Sequence, residues 1–198
     1  MKKSSVISIA FLLSLTFTFI LMRMDKVIKA NEEIYVASLQ NNLVSINDCV
    51  IYLDQIINDY DNLVDYELKL NSIAEKITDI GRIFPIIDIY DRGKRTSLNS
   101  RDLEFNTFTE LFLKYAQIVR EWSLNIHEEK GHAYPTKEDL QGLYNDLNEY
   151  FDLFLITEKD NEYYVGGILL KDFDFSYVSK KVNGIIDNSY FDAIRDLY

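Results

Sequence analysis

The chain opens with a long, uninterrupted apolar segment. Residues 4–22 contain no charged side chain, and they are flanked by Lys2 and Lys3 on one side and by Arg23 on the other. In an α-helix this run extends over roughly 28 Å, close to the thickness of the hydrocarbon core of a bilayer. A buried helix of a globular protein normally has a polar face, whereas the polar residues here are only serine and threonine. The pattern predicts a transmembrane helix.

A cleaved secretory signal is the alternative interpretation of this segment. The apolar core of a signal is usually ~7–15 residues long and is followed by a small-x-small cleavage site. The run here is longer, and the nearby candidate site after Ala30 has Ile28 where a small residue belongs. We therefore expect residues 1–24 to remain as a membrane anchor, with secretion after cleavage near Ala30 as the alternative.

The orientation of the anchor follows from its short amino-terminal tail. Basic residues are almost evenly distributed on the two sides of the apolar run, so their count does not decide the orientation. The positively charged tail is similar to that of a signal sequence, which favours an amino terminus inside the cell. Residues 25–198 are then expected to form an extracytoplasmic domain.

Beyond the anchor, apolar and tyrosine side chains recur mainly at intervals of three and four residues, the period of a helix that buries one face. We refer to each such line of side chains as a seam, and the sequence contains four. Their members are Leu39, Leu43, Ile46, Val50, Leu53, Ile57 and Tyr60; Leu63, Tyr66, Leu70, Ile73, Ile77, Ile80 and Phe84; Phe105, Phe108, Phe112, Tyr115, Val119, Trp122 and Ile126; and Leu140, Leu143, Leu147, Tyr150 and Phe154. The third seam predicts that Trp122 is a core residue.

Turn-forming and capping residues predict where these helices begin and end. The polar stretch 58–62 predicts a break between the first two helices. Gly81 and Pro85 are expected to end the second helix, and residues 91–97 to form a loop. A third helix is expected from residue 99 or 100 to about 130, followed by a capping glycine at 131. Thr136 and Asp139 are spaced as a capping box that opens the fourth helix.

The pattern after the fourth helix is ambiguous. Residues 154–157 and 163–169 flank the turn-like segment 158–162 and are compatible with a β-hairpin, although Gly166 and Gly167 weaken its second strand. The spacing after residue 172 indicates a further helix. The predicted fold is therefore all-α: a transmembrane helix followed by an antiparallel helical bundle, with a possible short hairpin near 154–169.

Charge and cysteine content narrow the classes of partner and site. The formal net charge of −11 argues against a surface that neutralises nucleic-acid phosphates. A single cysteine, Cys49, excludes an intramolecular disulfide framework and a cysteine-rich zinc site. We expect Cys49 to be a small buried core residue.

Several short patterns suggest metal sites but do not meet the requirements. His127 and His132 are five residues apart, whereas two zinc-binding histidines on one helix face are four apart. Residues 59–64 and 172–177 have acids at alternate positions, but both lack the glycine that a calcium loop needs at its sixth position. The sequence also contains no phosphate-binding loop, dinucleotide fingerprint or serine elbow. It therefore predicts no metal, no cofactor and no enzymatic activity.

Two features are candidates for binding a partner. A basic cluster interrupts the acidic chain and could meet an acidic surface. Tyrosines are abundant in the carboxyl-terminal half, and their amphipathic rings suit a half-exposed binding face as well as a core. The candidate partner-binding residues are Arg92, Lys94, Arg95, Arg101, Tyr163 and Tyr164.

The sequence is most compatible with a membrane-anchored helical interaction or structural protein that binds another protein. A sensor-like ligand-binding helical domain is the alternative, and an anchored hydrolase is a weaker one. Localisation at the membrane through residues 4–22, with the body outside the cytoplasm, belongs to the same hypothesis.

Overall fold

A computed structural model describes residues 3–60, 65–94, 102–127, 134–160, 162–169 and 184–185. Within these ranges, side chains are described except for residues 3–13, 32, 84–94 and 102–108. The chain forms two compact units, Met1–Ala37 and Ser38–Tyr198.

The described chain is mostly helical, with one small sheet after the helices. The helices are α1 (Lys3–Asn58), α2 (Tyr66–Lys94), α3 (Asp102–His127) and α4 (Lys137–Phe154). The strands are β1 (Ile156–Lys159), β2 (Glu162–Val165) and β3 (Ile168–Leu169), which pair antiparallel in sequence order. The predominance of helix and the presence of a hairpin confirm these two parts of the predicted fold class.

The part of α1 within the second unit lies antiparallel to α2. Lys76 Nζ is 2.6 Å from Asp48 Oδ2, and the Tyr66 hydroxyl donates to Ile56 O at 3.4 Å. The residue number in α2 therefore falls as the number in α1 rises. The apolar seams of the two helices meet along this contact.

The contacts of α3 with α2 and with α4 show that these pairs of helices are antiparallel too. Ser123 Oγ donates to Glu67 O near the start of α2, and Thr109 Oγ1 donates to Gly81 O further along it. Between α3 and α4, Tyr115 donates to Asp146, and the ring centroids of Phe112 and Tyr150 are 5.0 Å apart. Each pair of consecutive helices is therefore antiparallel, and the second unit contains an up-down-up-down bundle of α1 to α4. The Tyr60 hydroxyl donates to Pro135 O at 2.9 Å, which holds the end of α1 beside the start of α4.

The seams predicted for α2 and α4 form the core. In α4 all five predicted members are buried, and in α2 the members with described side chains are buried. The side chains of Phe84, Phe105 and Phe108 and all of Leu63 lie outside the described residues.

The seams of α1 and α3 differ in part from the prediction. In α1, Leu43 and Val50 are half-buried, and the positions before them, Asn42 and Cys49, are fully buried instead. The buried seam therefore includes a polar residue, which the apolar periodicity does not predict. In α3, Trp122 is half-buried while its neighbour Ser123 is buried, so the prediction of a core tryptophan is wrong.

The prediction that Gly81 and Pro85 end the second helix is also wrong. Helix α2 continues through both residues to Lys94, so residues 91–94 are helical rather than part of a loop. Proline has no N–H for the carbonyl four residues before it, which here is that of Gly81. Thr109 Oγ1 on α3 donates to this carbonyl at 3.3 Å and satisfies it. Gly81 also allows the close approach of α3, because a Cβ at this position would lie 3.3 Å from Phe112 Cβ.

The other predicted boundaries are close to those observed. Helix α1 ends at Asn58 and α2 begins at Tyr66, as the break at 58–62 predicted. Helix α3 begins and ends within about three residues of its predicted bounds; residues 95–101 and Gly131 lie outside the described residues. The capping box is present, with Asp139 N donating to Thr136 Oγ1 at 3.1 Å and Thr136 N donating to Asp139 Oδ2 at 2.9 Å.

The hairpin compatible with residues 154–169 is present and has one strand more than expected. Strand β1 pairs with β2 from Ile156 opposite Val165 to Lys159 opposite Glu162. Gly166 and Gly167 have φ values of +56° and +80° and turn the chain into β3 rather than extending β2. A Cβ at Gly166 would lie 2.6 Å from Leu153 O, so glycine is required there on two grounds. The helix expected after residue 172 lies outside the described residues, except for the helical pair Gly184–Ile185.

The predicted transmembrane segment lies within α1. Among the residues whose side chains are described, no helical stretch is both long and apolar enough to cross a membrane. Residues 4–13, the first half of the apolar run, lie outside that set.

Candidate interaction surfaces

The first unit has a helix with a large exposed apolar surface. Residues 19–22 are four consecutive apolar positions, so at 100° per residue they cover most of the helix circumference. Large apolar side chains with 49–65% of their surface exposed continue along the helix: Leu15, Phe17, Phe19, Ile20, Leu21, Met22, Met24, Val27 and Ile28. Such an extent of exposed apolar surface is typical of a segment that binds lipid or protein.

Charged residues begin where this apolar surface narrows. Arg23 is followed by Asp25, Lys26 and Lys29, and the Lys29 ammonium lies 3.2 Å from the Asp25 carboxylate. Both side chains are about two-thirds exposed, so the pair contributes little to stability. From residue 23 onward the helix has one charged and one apolar face.

The predicted basic cluster is only partly within the described residues. Arg92 and Lys94 lie in the last turn of α2, but their side chains are outside the described set, as are Arg95 and Arg101 entirely. The backbone places two of the four cations at a helix C-terminus, where positive charge interacts favourably with the helix dipole. Their role in binding stays a prediction.

The two candidate tyrosines are neighbours on β2. Tyr163 is opposite Glu158, and Tyr164 is opposite both Thr157 on β1 and Leu169 on β3. Both are half-buried, but successive residues of a strand point to opposite faces of the sheet. The two rings therefore do not form one continuous surface.

A buried polar pair connects α3 and α4. The Tyr115 hydroxyl donates to Asp146 Oδ2 at 2.6 Å, and the two residues are 1% and 3% exposed. The Tyr115 ring also contacts the rings of Phe112 and Tyr150, and the centroids of the three rings are 5.0–6.3 Å apart. The pair is a structural element of the core, since a buried carboxylate needs a donor to offset its loss of hydration.

A second polar cluster connects α1 and α2. Lys76 donates to Asp48, and this hydrogen bond raises the pKa of the Lys76 ammonium above its usual value. The adjacent Cys49 is fully buried, and burial raises the pKa of its thiol from 9.0 to about 12. The prediction of a buried core cysteine is confirmed. With so high a pKa, the thiol is protonated at neutral pH and unsuited to nucleophilic or metal-binding roles.

Asn42 is the other polar group in the α1 seam. It is 1% exposed, and within the described part of the chain neither its Nδ2 nor its Oδ1 has a hydrogen-bond partner. The register set by Asp48 with Lys76 and by Ile56 with Tyr66 places it at the level of residues 80–82 on α2. Sequence reasoning missed this residue because a polar side chain does not contribute to an apolar periodicity. The 39-42-46-49 spacing is the signal that would have identified it.

Of the two histidines in the zinc-like pattern, His127 lies within the described residues and contacts a neighbouring helix. His127 Nδ1 is 3.3 Å from Glu67 Oε2, an exposed contact between the end of α3 and the start of α2. His132 lies outside the described residues, as do residues 61–64 and 172–177 of the two calcium-like patterns. Within the described ranges, no group of three or more histidine, cysteine or carboxylate side chains is arranged to hold a metal ion.

The chain was compared with known proteins by family model, by sequence and by structure. No family model matches it, and neither does a curated protein or a solved structure.

Proposed function

We propose that this protein is a membrane-anchored helical interaction protein, with residues 4–22 as the anchor and the bundle outside the cytoplasm. The observation that carries the proposal is the exposed apolar surface of α1 between Leu15 and Met22. In water this surface would be unfavourable, at about 25 cal/mol for every Å² of apolar area. A bilayer removes that cost along the whole circumference of the helix.

The sequence around the segment supports an anchor. The run is uncharged over residues 4–22 and has basic residues at both ends, which suits a helix with its ends at the headgroups. The body beyond residue 23 is strongly acidic and would be repelled by an anionic membrane surface. A single attachment point with the domain held away from the bilayer agrees with this charge distribution.

An interaction role, rather than catalysis, is the proposal for the bundle. The polar pairs within the described bundle, such as Tyr115 with Asp146 and Lys76 with Asp48, connect neighbouring helices. Each is explained by the packing of the helices that it connects. The proposal therefore assigns binding to the surface, with Arg92, Lys94, Arg95, Arg101, Tyr163 and Tyr164 as candidate contacts for an acidic protein partner.

The anchor is tested by membrane retention of the full chain. After carbonate extraction the protein should stay with the membranes, and replacing Leu15 and Phe17 by arginine should release it, because each arginine costs about 2.5–3.5 kcal/mol at the centre of a span. The matched control replaces Val44 and Leu68, exposed apolar residues of the bundle, by arginine and should not change retention. Release of the unaltered chain, or a mature amino terminus near Asn31, would contradict the anchor.

The orientation and the partner surface have separate tests. Protease added outside intact spheroplasts should digest the bundle, whereas protection until lysis would reverse the topology.

For the partner, Arg92→Glu with Lys94→Glu should reduce the amount of partner protein recovered with the chain after detergent extraction. Lys137→Glu with Lys159→Glu, also basic surface positions, is the matched control. Equal recovery with both variants would remove the basic cluster from the proposal.

A further inference from the structure

Residues 17–34 of α1 have one apolar face that continues from the apolar run into the charged part of the helix. From residue 23 onward, Met24, Val27, Ile28 and Ile34 share one side, and each is more than half exposed. Phe19, Ile20, Arg23, Met24, Val27 and Ile28 line a groove along the same side. All these residues belong to the first unit.

The spacing of this face is that of a coiled coil. Positions 17, 20, 24, 27, 31 and 34 alternate between intervals of three and four, so they occupy the a and d positions of a heptad repeat. Five of the six are large and apolar: Phe17, Ile20, Met24, Val27 and Ile34. From residue 23 onward, every charge except Arg23 falls at the outer b, c and f positions. The helix is thus patterned for a seam with another helix.

The one polar position of the seam is Asn31, which is exposed and occupies an a position. A single asparagine at an a position fixes the register and the number of strands, at a cost in stability. In a parallel pair the two Asn31 amides would face each other and hydrogen-bond across the seam. The d positions are all β-branched, a choice that does not by itself specify two strands, so Asn31 is the residue that would select a dimer.

We propose that residues 17–34 of two copies of this chain associate as a parallel, in-register coiled coil. Each of the five apolar seam residues exposes about half of its surface, on the order of 100 Å² per side chain. Burying them in both copies removes roughly 1,000 Å² from water, the lower limit for a specific interface.

The parallel orientation rests on the proposed anchor, whereas the heptad pattern does not. Anchors inserted in one membrane give all copies the same orientation and depth, which places residue 17 beside residue 17. Confinement to the membrane also raises the effective concentration of the second copy. A lipid surface is a poorer occupant for residues 24–34, because a continuous helix leaving the bilayer cannot also lie flat on it.

Cysteine crosslinking of the full chain in lipid vesicles tests the seam. Met24→Cys and Val27→Cys place a thiol at an a and a d position, and Lys26→Cys and Lys29→Cys place one at outer positions of the same turns. Oxidation with copper phenanthroline should give disulfide dimers from the first two variants and not from the controls. The unaltered chain is a further control, because its Cys49 is fully buried.

Two results would overturn the proposal: the absence of dimers from all four variants, and equal dimer yields from seam and outer positions. In the first case, an apolar environment for a dye attached at residue 24 would assign the face to lipid. Carbonate extraction of the same samples separates this failure from failure of the anchor: a retained chain without crosslinks loses only the seam, and a released chain with crosslinks loses only the anchor.

A second variant tests the role of Asn31. Asn31→Val removes the amide from the seam and should convert the dimer into a larger oligomer, measured by sedimentation equilibrium in density-matched detergent. Asn47→Val, at an exposed position of α1 outside the a and d positions, should remain dimeric. A monomeric unaltered chain, or a dimer that is unchanged by Asn31→Val, would remove the strand-selecting role of Asn31.

Discussion

At the scale of single residues, a buried polar side chain of α1 lowers the free energy of unfolding of the bundle. Asn42 buries a complete side-chain amide without a hydrogen-bond partner in the described residues. Such burial costs about 1–3 kcal/mol in proteins. Asn42→Leu should therefore stabilise the chain by about that amount, raising its Tm by roughly 2–4 °C per kcal/mol for a domain of this size.

The matched control for this prediction is Asn47→Leu, because Asn47 is exposed on the same helix. Its effect on the free energy of unfolding should stay within about 0.5 kcal/mol. Thermal unfolding followed by circular dichroism measures both variants. A lower Tm for Asn42→Leu would mean that the amide has a favourable interaction in the folded protein.

Cys49 predicts how stability depends on alkaline pH. Its thiol has a pKa of about 12 in the folded protein and 9.0 as its ordinary value, so between these values the folded state binds the proton that the unfolded state has lost. The stabilisation is complete below pH 9 and falls as pH rises, by up to about 1.4 kcal/mol per pH unit. The raised pKa of Lys76 acts with the same sign, but only above the ordinary lysine value of 10.5.

Urea unfolding at pH 8, 9 and 10 measures this dependence. Cys49→Ala, although less stable overall because of the cavity that it leaves, should lose less stability between pH 9 and pH 10 than the unaltered chain. Lys76→Met serves as the control. It keeps the Cys49 thiol, so the loss of stability between pH 9 and pH 10 should remain. Equal slopes with and without Cys49 would contradict the prediction.

At the scale of secondary-structure elements, the contact between α2 and α3 explains how a helix passes through a proline. Pro85 leaves the Gly81 carbonyl without its helical donor, and Thr109 supplies one from α3. Thr109→Val should therefore destabilise the chain by about 1–3 kcal/mol, because the carbonyl loses its substitute donor. In the Pro85→Ala background, where an N–H is restored, the same substitution should cost clearly less.

The four chains of this double-mutant cycle are compared by urea unfolding, and the coupling energy is the difference between the two costs of Thr109→Val. Thr157→Val is the control, because Thr157 is an exposed strand residue. Thr136→Val is unsuitable, because it removes the α4 cap. A coupling energy near zero would separate Thr109 from Pro85.

These elements also show how far the sequence predicts the fold. The α4 seam and the capping box were predictable, because period and cap are local properties of consecutive residues. The continuation of α2 was not, because its donor is 28 residues away on another helix. The polar member of the α1 seam was missed for a related reason: the burial of Asn42 depends on its neighbours and not on its own polarity.

The candidate interaction residues were less predictable than the core. Proximity in sequence suggested that Tyr163 and Tyr164 act together, but the strand places them on opposite faces. The exposed face of residues 17–34 could be read as a heptad repeat only after the structure showed that its apolar side chains lie in solvent. Pattern alone does not distinguish such a face from one that is buried within its own chain.

At the scale of the whole molecule, the two units predict a division of tasks. The second unit contains the bundle core, the capping box and the three-stranded sheet. The first unit contributes an exposed helix with the proposed anchor and the proposed dimer seam. Folding of the bundle should therefore be independent of the membrane, while association of copies should depend on residues 17–34.

This division predicts the behaviour of a fragment that begins at Ala30. The cut keeps Tyr35 and Val36, which are 3% and 5% exposed, and removes most of the seam. A chain of this length buries about 70% of the surface that it exposes when unfolded, enough for a cooperative domain. The fragment should be a soluble monomer with a sharp thermal transition, measured by light scattering and circular dichroism. The full chain in detergent is the comparison and should be dimeric. A fragment that oligomerises with concentration and loses helicity on dilution would show instead that the bundle needs a second chain to complete its core.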